Sequence, residues 1–370
     1  MRVIIAAAGT AGHINPGLAI ANKIKDKEPD SEIIFIGTER GLEKDLVSRS
    51  GYKLKTINAY GLSFKKPLQL LKTLKGFGEA KEIIKDFNPD VVIGTGGYIC
   101  GAAITMANKL GIPTLLHESN AFPGKAVKML SKKTDCILVG FEDAKKRLEH
   151  TKKIVVTGNP TKIRDLNLNK NEKEKIIKSL DLSCDKPILL VFGGSQGAKA
   201  INDSVIKIVK EGKNKEYQII WAPGPIQYNI IKEELEKNNI DIQNIANTKV
   251  YPYIYNMEEI MNISDLFICR SGAMTINEVS VVGKPAIFIP LPGVSQNHQE
   301  YNARVLEKIG AAKILLNKDL EYTDLNKYVE NIIYDKELLK KMGEKAKKVS
   351  NTNALEIIYK EIKEIILHKC

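Results

Sequence analysis

Two short glycine-rich segments lie about half a chain apart, and each directly follows a run of apolar residues typical of a β-strand. The first is Ala8-Gly-Thr-Ala-Gly-His13 and the second is Gly193-Gly-Ser-Gln-Gly197. A strand that leads through a glycine turn into a helix gathers backbone N–H groups and the positive end of the helix dipole at one point. Two such turns therefore predict two α/β domains whose facing edges hold a ligand between them.

The rest of the chain supports this division, because strand-like and helix-like segments alternate along its 370 residues. That length exceeds one typical core, so we expect a first domain over residues 1–160 and a second over 165–349. The polar segment 158–175 is predicted to link them. The predicted strands are residues 3–7, 33–36, 91–93, 114–116, 136–139, 154–156, 188–192, 218–221, 266–269 and 286–290.

The last part of the chain, about residues 350–370, has the pattern of an amphipathic helix. Leu355, Ile358, Ile362 and Ile365 recur at helical spacing. A helix of this kind must bury one face, and we hypothesise that it packs back on the first domain.

The spacing of the cysteines and the length of the apolar runs indicate the cellular compartment of the protein. The five cysteines are scattered, without the spacing of a metal site or a disulfide framework. The longest apolar runs fall far short of the ~20 residues that cross a bilayer, and Met1 leads directly into a charged residue and a strand. We therefore predict a chain in the reducing cytosol with neither a signal peptide nor a membrane span.

The formal net charge of +12 is concentrated in the first half of the chain. Residues 1–164 hold 27 Lys and Arg against 16 Asp and Glu, whereas residues 165–370 hold 29 against 28. A basic half attracts nucleic acid or an anionic membrane surface, and a merely solvated lysine-rich face is the alternative. Aromatic residues make up only 6% of the chain and no known nucleic-acid motif is present, so we expect no nucleic-acid partner.

In the first glycine turn, His13 is the candidate general base. Asn15 is predicted to cap a helix that begins at Pro16, which leaves His13 just outside the helix. A neutral imidazole there can take a proton from an attacking hydroxyl, because its pKa lies near the working pH. One alternative is a histidine that only hydrogen-bonds its own loop. A dinucleotide fingerprint is a poorer one, since Gly9-Thr-Ala-Gly12 lacks the required spacing.

Two further strand ends in the first half open at the same predicted sheet edge. Gly94-Thr-Gly-Gly-Tyr98 offers backbone donors or a close approach, or is simply a tight connection. His117-Glu-Ser-Asn120 places imidazole, carboxylate and amide groups at a strand end, which is typical of polar sites and also of ordinary loops.

In the second half, Ser195 and Gln196 can bind phosphate oxygens beside the backbone N–H groups of their turn. A second loop, Cys269-Arg-Ser-Gly272, follows a strand, and we expect a helix to begin near Thr275. Glu278 either closes that helix in a capping box with Thr275 or accepts both hydroxyls of a ribose. The spacing alone does not decide between the two roles.

Other polar groups of the second half offer a competing interpretation. Ser195 fits the G-x-S-x-G pattern of a nucleophile elbow, and His298 is available as a late histidine. This hydrolase alternative leaves the first glycine turn without a role. Gln299 adds a further hydrogen-bonding group beside His298, whereas no paired-carboxylate, P-loop or zinc pattern is found in the sequence.

Taken in order along nearly the whole chain, these segments resemble the MurG family of peptidoglycan glycosyltransferases, which add N-acetylglucosamine to undecaprenyl-linked muramyl-pentapeptide. The matching segments are Gly9-Thr-Ala-Gly-His13 with Pro16-Gly17, Thr95-Gly-Gly-Tyr98, His117-Glu-Ser-Asn120, Gly158-Asn-Pro160, Gly193-Gly-Ser-Gln-Gly197, Cys269-Arg-Ser-Gly272 through Glu278, and His298-Gln299. The resemblance implies a GT-B architecture of two Rossmann-like parallel-sheet domains with an interdomain cleft. It places the lipid acceptor on the first domain and UDP-N-acetylglucosamine on the second.

The resemblance also implies roles for individual residues, with His13 at the position of the family's proposed base. The implied substrate-binding residues are Thr10, Ala11, Gly12 and Asn120 for the donor sugar or diphosphate region, Ser195 and Gln196 for the diphosphate, Ile254 for the uracil through its backbone, Glu278 for the ribose, Gln299 for the sugar hydroxyls, and Ala273, Met274 and Thr275 beside them.

The chain departs from the family pattern at two places. Ala8 and Ala11 stand where the first loop commonly has glycines, and their methyl groups limit how closely a phosphate approaches. Lys162 stands where many members have an arginine, and Arg164 follows two residues later. Lysine keeps the charge but loses bidentate geometry, so both residues are candidates for donor contact.

The implied reaction is an inverting transfer, in which the C4 hydroxyl of the acceptor attacks the anomeric carbon and UDP leaves from the opposite face. His13 would deprotonate the hydroxyl, and helix N-termini with backbone N–H groups would stabilise the leaving diphosphate. This scheme needs no metal or other cofactor, so we expect none. The alternatives are a UDP-sugar epimerase, another lipid glycosyltransferase of the same architecture, and a non-catalytic binder of an anionic surface or of nucleic acid.

The basic first half then has an expected partner, an anionic membrane surface. Residues 64–77 mix apolar side chains with lysines, and on a helix Leu70, Leu74 and Phe77 share one face. We hypothesise that this segment docks on the membrane and holds the protein peripherally at its cytoplasmic face. Packing of the same residues on the domain core is the alternative.

Overall fold

The computed structural model of the chain describes residues 1–59, 67–148, 152–194, 197–294 and 297–368, with side chains from residue 75 onward in the helix that begins at residue 67. The chain divides into two compact units. The first combines Met1–Lys162 with Asn351–Cys370, and the second is Ile163–Ser350.

The first unit alternates strands and helices around one parallel sheet. Its elements are β1 (Arg2–Ala6), α1 (Ala11–Lys27), β2 (Glu32–Gly37), α2 (Glu43–Arg49), β3 (Lys53–Thr56), α3 (Pro67–Phe87), β4 (Val91–Gly94), α4 (Ile99–Lys109), β5 (Thr114–Glu118), α5 (Lys125–Leu130), β6 (Cys136–Val139), α6 (Glu142–Lys145) and β7 (Ile154–Val156). The strand order among the described residues is β3-β2-β1-β4-β5-β6-β7. The direction of winding reverses between β1 and β4, which makes that junction the topological switch point.

The second unit repeats this plan. Its elements are α7 (Lys170–Ser179), β8 (Ile188–Phe192), α8 (Lys199–Lys210), β9 (Gln218–Ala222), α9 (Pro225–Glu236), β10 (Thr248–Val250), α10 (Met257–Ile263), β11 (Leu266–Cys269), α11 (Ala273–Val282), β12 (Ala286–Phe288), α12 (His298–Lys308), β13 (Ala312–Ile314), α13 (Leu325–Ile333) and α14 (Lys336–Val349). Within the described part of this unit the strand order is β10-β9-β8-β11-β12-β13. Its switch point therefore lies between β8 and β11.

The last helix, α15 (Ala354–Leu367), belongs to the first unit and packs against α1. Ile358 and Ile362 are buried in the apolar layer that α1 also covers. At the rim of this contact, the Lys363 ammonium and the Tyr359 hydroxyl each donate a hydrogen bond to Glu28 Oε1 at 2.7 Å. These bonds, led by the one from Lys363, lower the pKa of Glu28 to about 2.

The prediction of two doubly wound parallel sheets is confirmed, and the differences lie at the sheet edges. Three edge strands were not predicted from the sequence: β3, β10 and β13. Edge strands are paired on one side only, and here lysines interrupt their apolar residues, so they lack the continuous apolar run of a buried strand. Helix α7 begins inside the predicted linker, because Asn169 and Glu172 form a capping box there.

Candidate functional site

The first candidate site lies at the carboxyl edge of the sheet in the first unit. The loops after β1, β4 and β5 open there side by side, because Ala6 pairs with Gly94 and Gly94 pairs with Leu116. Doubly wound sheets bind ligands at this edge, next to the switch point. The fold thus brings together the three segments of the first half that the sequence analysis singled out.

The first glycine turn runs directly into α1, which begins at Ala11 and not at Pro16. The prediction that Asn15 caps this helix is therefore wrong. Pro16 lies in the second turn, where its fixed φ suits the helix although its missing N–H removes one hydrogen bond. Thr10 takes the N-cap position with extended backbone, and His13 lies inside the first turn with its N–H bonded to the Thr10 carbonyl oxygen at 3.0 Å.

The imidazole of His13 lies against the turn that follows β4. Its Nδ1 donates to the carbonyl oxygen of Ala8 at 3.2 Å, since a carbonyl only accepts, and the neutral ring then carries its basic lone pair on Nε2. A Cβ added to Gly96 would lie 2.5 Å from His13 Cδ2, and one on Gly97 would lie 2.8 Å from the Ala8 oxygen. Gly96 thus leaves room for the imidazole, and Gly97 leaves room for the Ala8 carbonyl that the imidazole binds.

A buried carboxylate, that of Glu43, anchors the first glycine turn from the other side. Glu43 Oε2 accepts the Gly9 N–H at 3.0 Å, while Oε1 accepts the Thr38 N–H at 2.9 Å and the Thr38 hydroxyl at 2.6 Å. Burial opposes ionisation, yet the bonds from Thr38 and Gly9 hold the pKa of Glu43 below its usual value. Glu43 was not predicted from the sequence, although an acidic side chain at the start of the helix after β2 was an available signal.

The end of β5 and the loop that follows it hold a structural histidine and a positioned amide. His117 is fully buried, and its Nε2 lies 3.4 Å from the Gly158 carbonyl oxygen, so burial lowers its pKa to about 4. Glu118 Oε1 accepts the backbone N–H and the side-chain amide of Asn120 at 2.8 and 3.0 Å. Its Oε2 accepts the Gly124 N–H at 2.7 Å. Glu118 therefore fixes the Asn120 carboxamide at the sheet edge.

The second candidate site lies at the carboxyl edge of the sheet in the second unit. Phe192, Cys269 and Phe288 end three neighbouring strands there in register. The Gly193–Gly197 turn follows β8, although Ser195 and Gln196 lie outside the described residues. Gly197 has φ +74, and a Cβ on it would lie 2.2 Å from the Pro223 carbonyl oxygen, so a glycine is required at this crossing.

The loop after β11 leads into α11 earlier than predicted. Gly272 is the N-cap and Ala273 the first helical residue, so Thr275 and Glu278 both lie within the helix and do not form the capping box. That alternative role of Glu278 is therefore wrong. Ala273 and Met274 are buried, whereas Thr275 and Glu278 are half-buried.

Arg270 ties the ends of the neighbouring strands together. Its Nη1 donates to the carbonyl oxygens of Ile289 and Pro290 at 2.9 and 3.1 Å and to Asn317 Oδ1 at 3.0 Å. Burial lowers the pKa of this guanidinium to about 10, so it keeps its charge at neutral pH. A fixed positive charge thus lies beside the start of α11.

Gln299 and Ile254 follow other strands of the same sheet. Gln299, the second residue of α12, accepts the Leu291 N–H on its Oε1 at 2.9 Å, which directs its amide nitrogen away from that bond. Ile254 lies beyond β10 with its side chain buried, between the exposed Tyr253 and Tyr255, whose ring centroids are 4.8 Å apart. The Ile254 side chain thus anchors a loop whose aromatic neighbours face solvent.

The two basic residues that are candidates for donor contact, Lys162 and Arg164, belong to different units. Lys162 is exposed at the end of the first unit. Arg164 belongs to the second unit, where its Nε donates to Glu258 Oε1 at 3.1 Å and its backbone N–H to the same oxygen at 2.9 Å. The described bonds of the Arg164 guanidinium thus go to a carboxylate.

The hypothesised membrane segment is described only in part. Residues 64–66 and the side chains of residues 67–74, including Leu70 and Leu74, lie outside the described residues. Phe77, on α3, is half-buried and packs against the apolar core of the first unit. For Phe77 this packing agrees with the alternative of a core contact.

No group of three or more His, Cys, Asp and Glu side chains in the described ranges is arranged to hold a metal ion. Among the helices described, none combines the length and apolarity that a bilayer crossing demands.

Family models and curated sequences match both units of the chain. The Glycosyltransferase family 28 N-terminal domain matches residues 3–139, and the Glycosyltransferase family 28 C-terminal domain matches residues 188–358. A UDP-N-acetylglucosamine–N-acetylmuramyl-(pentapeptide) pyrophosphoryl-undecaprenol N-acetylglucosamine transferase from Ruminiclostridium cellulolyticum is 44% identical over 370 residues. The match covers 99% of this chain and all of that protein.

Solved structures share the fold. MurG from Acinetobacter baumannii superimposes with a TM-score of 0.76 at 28% identity, covering 98% of this chain and 99% of that one. A UDP-GlcNAc 2-epimerase from Neisseria meningitidis superimposes with a TM-score of 0.66 at 16% identity, covering 98% of this chain and all of the other. At 16% identity the second likeness shows the fold alone.

Proposed function

Because this chain belongs to the MurG family within glycosyltransferase family 28, we propose that it is an inverting N-acetylglucosaminyltransferase. It transfers N-acetylglucosamine from UDP-N-acetylglucosamine to the C4 hydroxyl of undecaprenyl-pyrophosphoryl-N-acetylmuramyl-pentapeptide. The product is the disaccharide lipid intermediate of peptidoglycan synthesis. The observation that carries the proposal is the 44% identity to a transferase of this name, which extends over both units.

The geometry around His13 supports its role as the base. With the proton on Nδ1 directed at Ala8, the Nε2 lone pair receives the proton of the acceptor hydroxyl. The hydroxyl oxygen then bonds to the anomeric carbon as the bond from that carbon to the UDP oxygen breaks. The leaving diphosphate takes up the negative charge.

The second unit is proposed to hold the donor. Its glycine turn and the start of α11 offer backbone N–H groups to the diphosphate, and Arg270 adds a fixed positive charge. Ser195 and Gln196 are proposed as further diphosphate ligands. Glu278 is proposed to accept the ribose hydroxyls, the role that the family resemblance implies for it.

The remaining donor contacts follow from the orientation of individual groups. Gln299 presents its amide nitrogen to a sugar oxygen, because its Oε1 is bonded to Leu291. The Ile254 backbone is proposed to meet the uracil. Since the Arg164 guanidinium pairs with Glu258, we assign the donor contact to Lys162.

The basic first unit is proposed to meet an anionic membrane surface, which holds the enzyme peripherally at the cytoplasmic face beside its lipid-linked acceptor. The concentration of positive charge in residues 1–164 supports this assignment. Binding to anionic liposomes is expected to fall in Lys72→Glu and to persist in Lys170→Glu, which changes an exposed lysine of the second unit. Equal binding by both variants would contradict it.

The proposal is tested by turnover with UDP-N-acetylglucosamine and a lipid-linked muramyl-pentapeptide analogue, with the products separated and identified. We expect a disaccharide lipid and one UDP per transfer, dependent on the acceptor. No transfer, or an epimerised nucleotide sugar formed without acceptor, would contradict it. The second outcome would favour the epimerase alternative.

A further inference from the structure

The peptide group between Ala8 and Gly9 is hydrogen-bonded on both sides. Its N–H, on Gly9, donates to Glu43 Oε2 at 3.0 Å. Its carbonyl oxygen, on Ala8, accepts from His13 Nδ1 at 3.2 Å. The C=O and N–H of a trans peptide lie in one plane and point in opposite directions, so Glu43 and His13 bind opposite edges of one peptide group.

We propose that Glu43 is a positioning residue for His13, which acts through the Ala8–Gly9 peptide and selects the imidazole tautomer with a basic Nε2. This inference rests on the proposed role of His13 as the base. In this arrangement the Glu43 carboxylate holds the Ala8–Gly9 peptide, and the carbonyl of that peptide determines which nitrogen of the His13 ring carries the proton.

The surroundings of Glu43 require a carboxylate. Three donors converge on its two oxygens: the N–H of Gly9, and the N–H and hydroxyl of Thr38. A Cβ on Gly41 would lie 2.0 Å from Glu43 Oε2, and one on Gly37 would lie 2.8 Å from Glu43 Cγ, so both glycines leave space for this side chain. Glutamine fills the same space but turns an NH2 group toward a donor, and one backbone N–H then loses its acceptor.

The peptide plane would turn easily without that anchor. Gly9 has φ +97, and apart from its own atoms and its two chain neighbours no heavy atom lies within 4 Å of the position that its Cβ would take. A glycine adopts φ of either sign at similar cost, so a turn of the Ala8–Gly9 plane meets little local resistance. A turned plane presents an N–H to His13 Nδ1, which then becomes the acceptor and moves the ring proton to Nε2. That tautomer has no lone pair on Nε2 to receive a proton.

The test uses Glu43→Gln in the full-length protein, with 15N-labelled histidine to read the tautomer of His13 above its titration range. The His13 signal is assigned by its loss in His13→Gln. We expect the wild type to carry the proton on Nδ1 and Glu43→Gln to populate the Nε2–H form. We also expect kcat to fall about 10- to 100-fold, as for loss of an outer hydrogen-bond partner of a functional histidine, with UDP-N-acetylglucosamine affinity changed less than about twofold.

The matched control is Glu361→Gln. Glu361 lies on α15, is a second buried carboxylate of the first unit and pairs with Lys153. This variant loses a buried charge without touching the first glycine turn, so the His13 tautomer and kcat should stay at wild-type values. An Nε2–H tautomer in the folded wild type would overturn the inference even if Glu43→Gln fails to fold. So would an unchanged tautomer or a kcat within about twofold in Glu43→Gln. The tautomer is read without turnover, so a protein that shows Nδ1–H but no transfer would refute only the proposed function.

Discussion

The Thr95 hydroxyl donates a hydrogen bond of 2.7 Å to the backbone carbonyl of His13, and thereby ties the turn after β4 to the first turn of α1. Thr95 is buried and the bond spans 82 positions of the chain. It joins two loops that the sheet merely places side by side. The site around His13 is therefore held by a cross-connection as well as by its own turn.

Thr95→Val should lower kcat by about tenfold or less, because the isosteric side chain removes the side-chain donor to the His13 carbonyl and loosens the helix start. Thr134→Val is the control, since it removes a buried hydroxyl bonded to Leu130 on α5, away from the candidate site. Steady-state kinetics of both variants check the prediction. Equal losses in the two would mean that the Thr95 bond serves stability alone.

Gly96→Ala should displace the His13 ring, because the added Cβ would lie 2.5 Å from Cδ2 at a backbone φ of +112. We expect kcat to fall at least tenfold. Gly111→Ala has a comparable positive φ of +74 and open space around the added methyl group, so it should lose stability without losing kcat. A Gly96→Ala enzyme with normal kcat would show that the ring tolerates the methyl group.

The contact of Glu28 with α15 should make the stability of the first unit depend on acid pH. The pKa of Glu28 is about 2 in the folded chain against an ordinary value of 4.5, so its contribution is present above pH 4.5 and is lost as the pH falls toward 2. Glu28→Gln should lower the free energy of unfolding at pH 7 by about 1 kcal/mol, allowing for solvent screening. The deficit should shrink as denaturation is repeated down to pH 3. A deficit that is constant with pH would contradict this account.

Lys284 should destabilise the second unit at neutral pH. Burial, with Lys173 nearby, lowers its pKa to about 8 from 10.5, and Asp265 and Asp165 only partly oppose this. The unfolded chain therefore binds the extra proton between about pH 8 and 10.5, and stability should rise with pH across that window. Lys284→Met should raise the free energy of unfolding at pH 7 by about 1 kcal/mol, and the gain should shrink above pH 8. Lys284 and Lys340 line one cavity of the second unit, and Lys340 is exposed, so Lys340→Met is the control. A loss of stability in Lys284→Met would contradict the prediction.

The sequence predicted the buried strands well because a strand covered on both faces is a continuous apolar run. Cys136–Val139 and Ile188–Phe192 have the predicted bounds. The edge strand Lys53–Thr56 was missed, since its alternation of lysine with other residues is too short to distinguish it from a loop. The hydrophobic pattern of a sequence indicates which residues are buried, and it is weak in edge strands because they are only half buried.

The individual motifs of the candidate site were predicted from the sequence, but the hydrogen bonds that join them were not. The glycine turns and His13 are visible as spacing, whereas the Glu43 carboxylate reaches Gly9 across 34 positions, a contact that no local pattern encodes. The start of α1 was misplaced for a related reason. Pro16 favours a first helical position locally, but the turn at Gly9 begins the helix five residues earlier, at Ala11.

The most direct test of the central claim is the kcat of His13→Ala in transfer from UDP-N-acetylglucosamine to the lipid-linked acceptor analogue, measured beside the donor's dissociation constant. The account predicts a kcat about 10²- to 10⁴-fold below wild type with donor affinity nearly unchanged. A His13→Ala enzyme that transfers at close to the wild-type rate would contradict it and would reduce His13 to a structural residue of its loop.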